Sequence, residues 1–143
     1  MKFYKCVLMP CEEGLSIYVK KYISVHETPC FHYCVDEHEH HRVTYLISSN
    51  KGNPVSILKE SRVKTYRVAK SGSRIAFDDE QKAYENLLLL KRKQLGHLQR
   101  DIEFINTLIN YGSDKSFKDI PTLGRFKTIP NSQELVQEHY VFD

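Results

Sequence analysis

The first half of the chain alternates between apolar and polar positions in short runs, which is the pattern of half-buried β-strands. The longest run covers residues 15–25, where Leu15, Ile17 and Val19 share one parity and Ser16, Tyr18 the other. Shorter runs predict further strands over residues 2–9, 30–35, 43–47, 62–69 and 74–77. Prolines, glycines and asparagines separate these runs at short intervals. Five or six short strands therefore predict a curled antiparallel sheet.

The apolar period changes from two to that of a heptad after residue 77. Seven apolar residues occupy the a and d positions: Tyr84, Leu88, Leu95, Leu98, Ile102, Ile105 and Ile109. Lys91 interrupts the d series, Asp78 and Asp79 suit a helix start, and Gly112 suits its end. One long amphipathic helix is predicted over roughly residues 79–111, with a length of about 50 Å.

The predicted helix is long for a chain of this size. A compact domain of 143 residues has a radius of gyration of only about 14 Å. The helix therefore either bends near Gly96 or presents part of its apolar face to a partner. We expect the seven a and d residues to mediate coiled-coil self-association, as a homodimer or higher oligomer, or docking onto another protein.

The remaining residues, 113–143, are polar and irregular in pattern. A short helical segment is predicted from Asn131 or Ser132 to His139, and the apolar Tyr140–Phe142 is expected to dock back on the body. The sequence thus predicts an α+β fold in a single domain over residues 1–143. Its parts are a strand-rich region over 1–77, the long helix over 78–112, and the tail.

Composition narrows the class of protein. Apolar residues make up 41% of the chain, which is enough for a folded core. There is no apolar run of membrane-spanning length and no signal-peptide pattern at the N-terminus, so the expected location is the cytoplasm. In a reducing compartment, Cys6, Cys11, Cys30 and Cys34 are expected to be thiols or metal ligands rather than disulfides.

Cysteines and histidines cluster early in the chain. Four nitrogen or sulfur ligands lie within eleven residues, namely Cys30, Cys34, His38 and His40. A structural zinc ion takes four such ligands, so a zinc-stabilised domain is one hypothesis. Cys6 and Cys11 could replace the histidines in an alternative ligand set. The spacing differs from a C-x2-C knuckle, so we expect no cofactor: Cys6 and one of the later cysteines would fill the core, and the histidines would lie in a solvated loop.

Positive charge concentrates between residues 59 and 74. Six cations and one aromatic residue fall there: Lys59, Arg62, Lys64, Tyr66, Arg67, Lys70 and Arg74. Basic residues on a sheet beside an aromatic ring can hold single-stranded nucleic acid, which makes nucleic-acid binding a second hypothesis. The same charges would also suit an acidic partner, a solvated face or a protected sheet edge.

The common signatures of catalysis are missing from the sequence. It contains neither of the glycine-rich phosphate-binding loops nor a G-x-S-x-G nucleophile motif. His26-Glu-Thr28 matches half of a two-histidine phosphodiesterase motif, but the second half, at His41-Arg-Val-Thr44, has the wrong spacing. We therefore expect a protein without enzymatic activity.

One combination of segments has a counterpart in a known group of proteins. Lys21-Tyr-Ile-Ser-Val-His-Glu-Thr-Pro29 is followed by Arg74-Ile-Ala-Phe77, Glu80-Gln-Lys-Ala83, Leu90-Lys-Arg-Lys-Gln-Leu95 and His97-Leu98. Over roughly residues 21–109 this resembles small orphan accessory proteins of tailed bacteriophages. In these, a strand ending in Thr-Pro precedes a sheet and a basic, coil-forming helix.

The resemblance implies a protein that binds and inhibits a host protein in the host cytoplasm, as an accessory or counter-defence factor. It supplies no catalytic residues. In this interpretation the helix carries assembly, and the basic strand with residues 36–41 contacts the partner. Nucleic-acid binding and a zinc-stabilised domain stand as the alternatives.

Overall fold

The computed structural model describes residues 1–139, so the predicted docking of Tyr140–Phe142 lies outside the described residues. Within this part of the chain, six strands are described: β1 (Lys2–Cys11), β2 (Gly14–Glu27), β3 (Phe31–Asp36), β4 (Tyr66–Ala69), β5 (Thr122–Leu123) and β6 (Phe126–Lys127). The same residues contain four α-helices, namely α1 (His40–Ser49), α2 (Pro54–Glu60), α3 (Glu80–Gly112) and α4 (Gln133–His139). The α+β class, the long helix and the short C-terminal helix are confirmed. The chain forms two compact units, and the boundary between Leu90 and Lys91 falls inside α3.

The first unit is built on an antiparallel sheet with the strand order β1-β2-β3-β4. β1 and β2 form a long hairpin in register from Lys2 and Ile23 to Cys11 and Gly14. Gly14 has a φ of +132°, a conformation that favours glycine at this tight turn. The predicted end of β1 before Pro10 is wrong, because β1 is an edge strand and an edge tolerates proline.

The connection after β4 brings the chain back to β1. The Tyr4 N–H donates to the Phe77 carbonyl at 2.7 Å, and the Phe77 N–H donates to the Tyr4 carbonyl at 2.9 Å. The predicted strand over 74–77 is therefore only this single bridge. The connection also closes a core cluster made of Phe3, Tyr22, Cys34, Val68 and Ala76.

Two helices that the sequence analysis missed form a second cluster. Val35 of β3 packs with Val43 of α1 and Leu58 of α2, all three almost fully buried. The predicted strand over 43–47 is wrong: Val43 and Ile47 lie four residues apart on one helix face, while Tyr45 between them is 71% exposed. The histidine-rich segment 36–41 contains the last residue of β3, a 3₁₀ helix (Glu37–Glu39) and the start of α1, so its histidines lie in helical structure rather than in a loop.

Helix α2 begins with a standard capping arrangement. The Val55 N–H donates to the Asn53 side chain at 3.0 Å, and Pro54 occupies the first turn, where its missing N–H costs nothing. Arg62 follows the helix with a φ of 59°, in the left-handed region. The predicted strand over 62–69 is therefore shortened to Tyr66–Ala69.

The beginning of α3 packs against the long hairpin. Ala83 and Leu87 are buried in a third cluster with Cys6, flanked by Tyr4 and Phe77. The helix begins and ends within one residue of the predicted bounds and continues without interruption through Gly96.

The second unit contains the rest of α3, a 3₁₀ helix (Phe117–Asp119), the β5–β6 hairpin and α4. His139 Nε2 lies 2.6 Å from a carboxylate oxygen of Glu103, and the Phe104 ring meets the His139 ring edge-on at 5.7 Å. These contacts hold the end of α4 against α3.

Candidate functional site

The most unusual surface of the described residues is an apolar stripe on the second half of α3. Five residues form it: Leu95, Leu98, Ile102, Ile105 and Ile109. Each is between 51% and 57% exposed, although side chains of this type are usually buried. The stripe repeats with the alternating spacing of three and four residues that lets one helix pack along another.

The opposite side of the same helix segment packs against the C-terminal segment. Arg100, Phe104, Thr107 and Tyr111 are half-buried, and at about 100° per residue they lie on the far side from the stripe. Phe104 packs against His139 there. The C-terminal segment therefore covers one side of α3 and leaves the apolar stripe exposed on the other.

The N-terminal members of the predicted a and d series are in a different environment. Tyr84 is 36% exposed and Leu88 is half-buried. They neighbour Ala83 and Leu87, the residues by which α3 packs on its own sheet. The heptad pattern did not predict Ala83 and Leu87 as packing residues. The run Leu87–Leu90, which is apolar on more than one face, was the sequence signal that this part of the helix packs on a second side.

The predicted basic residues divide into two groups. Those of the first group make contacts within the chain. Lys70 forms an ion pair with Glu27, which lowers the pKa of that carboxyl group. Lys64 lies over the Tyr66 ring, with its nitrogen 5.3 Å from the ring centroid. The Tyr66 ring in turn packs on the Tyr22 ring, with the centroids 4.5 Å apart, so that face of the Tyr66 ring is not available to a ligand.

The second group lies along β4. Lys59 and Arg67 line one depression of about 280 Å³, and Arg67 and Arg74 line an adjacent one of about 390 Å³. The two depressions share Thr65 and Arg67, so they form one continuous surface, which we call the β4 trough. Arg62 is exposed beyond the end of α2 and lines neither depression.

Aromatic side chains of β3 complete the trough. Phe31 lines one depression and Tyr33 the other. The register pairs Tyr33 with Arg67, and the Arg67 guanidinium carbon lies 5.3 Å from the centroid of the Phe31 ring. Sequence analysis did not connect β3 with the basic residues, because only the strand register brings them together.

The predicted metal ligands do not come together. Cys34 is fully buried in the core and Cys30 is exposed, while His38 pairs with Glu39 at 3.8 Å and His40 stacks on the neighbouring His41. Burial raises the pKa of the Cys34 thiol to about 11, so it stays protonated at neutral pH and is a poor ligand.

A different group of ligand types is present in the second unit. Across residues 1–139, the one set of three whose ligand atoms lie within 4.8 Å of one another is Glu103, Glu138 and His139. The contact between His139 and Glu103 that anchors α4 accounts for this arrangement.

Within residues 1–139, no buried side-chain nitrogen or oxygen lacks a hydrogen-bond partner. The His32 ring is within 3.3 Å of the Ser24 hydroxyl and packs on Phe3. Burial, with the neighbouring Tyr66 and Asp36, raises the pKa of Tyr22 to about 12.

None of the helices within residues 1–139 contains a stretch apolar and long enough to cross a membrane. Comparison of the chain with known protein families, with curated protein sequences and with solved structures gave no match.

Proposed function

We propose that this chain is a non-enzymatic binding protein that works as a homo-oligomer, and that copies associate through the apolar stripe. The observation that carries the proposal is the stripe itself: five large aliphatic side chains, each more than half exposed, in an unbroken helical row. An exposed apolar surface of this extent is typical of a protein–protein interface.

A second copy is the occupant that the spacing favours. A helix with an a and d repeat presents the surface that an identical helix needs, since each side chain inserts between four side chains of the facing copy. Lys91, the polar residue at d, lies just before the stripe and marks its N-terminal limit. The stripe is thus a segment of about four helical turns, which is long enough for a short coiled coil.

The expected strength of the association follows from the exposed area. Burying the exposed half of a leucine or isoleucine side chain contributes about 1 kcal/mol. Ten such side chains across a dimer form a small interface, and part of their contribution is offset by the lost freedom of two separate chains. We therefore expect an association that reverses on dilution rather than a permanent complex.

The nature of the binding partner is a separate part of the proposal. The resemblance to phage accessory proteins favours a host protein, inhibited in the host cytoplasm, and this part rests on the sequence alone. The first unit, with its exposed basic residues and the segment 36–41, would make the contact. This part of the proposal is tested by purifying the chain with a captured host protein and separating the two. The same complex should form again when the two purified proteins are mixed in the presence of nuclease.

The self-association is tested by replacing Leu98 and Ile105 with glutamine, which keeps the helix propensity but removes apolar surface. Four side chains across a dimer are lost, so the dimer weakens by about 4 kcal/mol, or roughly 1,000-fold. The matched control replaces Lys93 and His97 with glutamine, since both residues lie on the same helix outside the stripe. In sedimentation equilibrium the control should match the unmodified chain and the stripe variant should be monomeric. Identical behaviour of all three proteins would refute self-association through the apolar stripe.

A further inference from the structure

The β4 trough has the features of a binding site that self-association does not use. Its three cations, Lys59, Arg67 and Arg74, have no carboxylate within 4.0 Å of their nitrogens anywhere in residues 1–139. Neither depression is lined by an aspartate or glutamate. The trough is therefore a positively charged surface without internal neutralisation, and it attracts anions.

The shape of the trough selects among anionic ligands. Arg67 lies where the two depressions meet, with Lys59 at one side and Arg74 at the other. A row of cations along a groove can follow the phosphates of an extended strand. Thr65, shared by both depressions, donates its hydroxyl proton to the Val63 carbonyl at 3.2 Å, so its oxygen can accept a hydrogen bond from a base edge.

Planar side chains beside the charges point more specifically to nucleic acid. The Arg67 guanidinium lies over the Phe31 ring, which limits the conformations of a side chain that otherwise loses much entropy on binding. A guanidinium held in this way offers a flat cationic surface on which a base can stack. Tyr33 provides a second half-buried ring on the same side of the sheet, two pairs along in the register.

From these contacts we infer that the β4 trough binds single-stranded nucleic acid without sequence preference, with Lys59, Arg67 and Arg74 on the phosphates. The trough is short, since β4 has only four residues. It therefore covers a few nucleotides in each copy, within the range of about 4 to 16 for small sheet-based sites.

The charge contribution is measured by the salt dependence of binding to a fluorescent oligothymidylate of about 12 nucleotides, followed by anisotropy. The test variant replaces Lys59, Arg67 and Arg74 with glutamine, which keeps the side-chain stems. Because each phosphate contact to a single strand contributes about 0.7 to the slope of log affinity against log salt, the slope should fall by about 2. Affinity near 50 mM salt should fall at least tenfold.

A matched control removes the same charge elsewhere. Lys51, Lys93 and Arg125 are exposed and line neither depression of the trough, and their replacement by glutamine should leave both slope and affinity nearly unchanged. Equal loss in the two triple variants would mean that only overall charge matters and would overturn the site. No measurable binding of the unmodified protein at low salt would overturn it as well.

The stacking contribution is tested independently with Phe31→Leu, which keeps an apolar side chain but removes the ring beneath Arg67. Affinity should fall about fivefold or more, while the salt slope stays the same. If Phe31→Leu has no effect and polyglutamate displaces the oligonucleotide at equal charge concentration, the trough is a site for acidic protein and the inference is wrong. Because the stripe variant retains the trough, its binding to the oligonucleotide separates this result from self-association.

Discussion

The buried pair of Tyr22 and Tyr66 makes a sharp prediction about stability at alkaline pH. Tyr22 is 2% exposed, and its surroundings raise its pKa from 10.0 to about 12. The folded protein therefore favours the neutral phenol more strongly than the unfolded chain does. This contribution to stability is fully present below pH 10 and is lost as the pH rises through about 12.

The size of the effect follows from the same two values. A difference between a pKa of 10.0 and one of about 12 corresponds to roughly 2 to 3 kcal/mol of unfolding free energy. Replacing Tyr22 with phenylalanine removes the titrating group and its hydrogen bond to Tyr66, which costs about 1 kcal/mol at neutral pH. The variant should then lose 2 to 3 kcal/mol less than the unmodified protein between pH 10 and 12.

Urea unfolding at a series of pH values measures this difference directly. Tyr45→Phe is the matched control, because Tyr45 is 71% exposed and is not among the groups that raise the pKa of Tyr22. The control should follow the unmodified protein at every pH. Parallel loss of stability in Tyr22→Phe and the unmodified protein above pH 10 would refute the reasoning, since Tyr22 would then ionise in the folded state as easily as in the unfolded one.

Three local features of the first unit, the left-handed Arg62, the four cysteines and the buried Leu58, can each be tested by one experiment. Arg62→Gly should raise the unfolding free energy by about 0.5 to 1 kcal/mol in urea, because glycine relieves the left-handed backbone, whereas an equal gain from Arg62→Ala would contradict this. In a native-state alkylation followed by intact mass, only the exposed thiols of Cys11 and Cys30 should react quickly, and rapid addition of four labels would contradict the burial of the other two. Leu58→Ala should cost about 2 to 5 kcal/mol of unfolding free energy, and a loss below about 1 kcal/mol would mean that α2 does not complete the core.

Long periodic segments were predictable from the sequence. Helix α3 and the β1–β2 hairpin carry their apolar period over many residues, so local pattern and tertiary packing agree. The two helices within residues 43–60 were not predictable. The alternation of Val43, Tyr45 and Ile47 fits a strand, while Val43 and Ile47 also fit one face of a helix. Packing on Val35 decides between them. The cap formed by Asn53 before Pro54 was the available signal for α2.

The candidate surfaces show the same division. The apolar stripe was readable as a heptad series, although the sequence could not show which part of the helix packs on its own sheet. The basic residues of the β4 trough were also readable, but their alignment with Phe31 and Tyr33 depends on the β3–β4 register, which involves residues more than thirty positions apart. The proposed zinc ligands were readable only as a cluster along the chain, and the fold buries Cys34 in the core while Cys30 stays exposed.

Self-association is the central claim, and native mass spectrometry of the unmodified chain over a dilution series tests it most directly. The chain has a mass of 16.8 kDa. We expect a species at twice this mass, or a higher whole multiple, at tens of micromolar, which dissociates to the single chain on dilution through the low micromolar range. A single species of 16.8 kDa at every concentration would contradict the claim and leave the apolar stripe without its proposed partner.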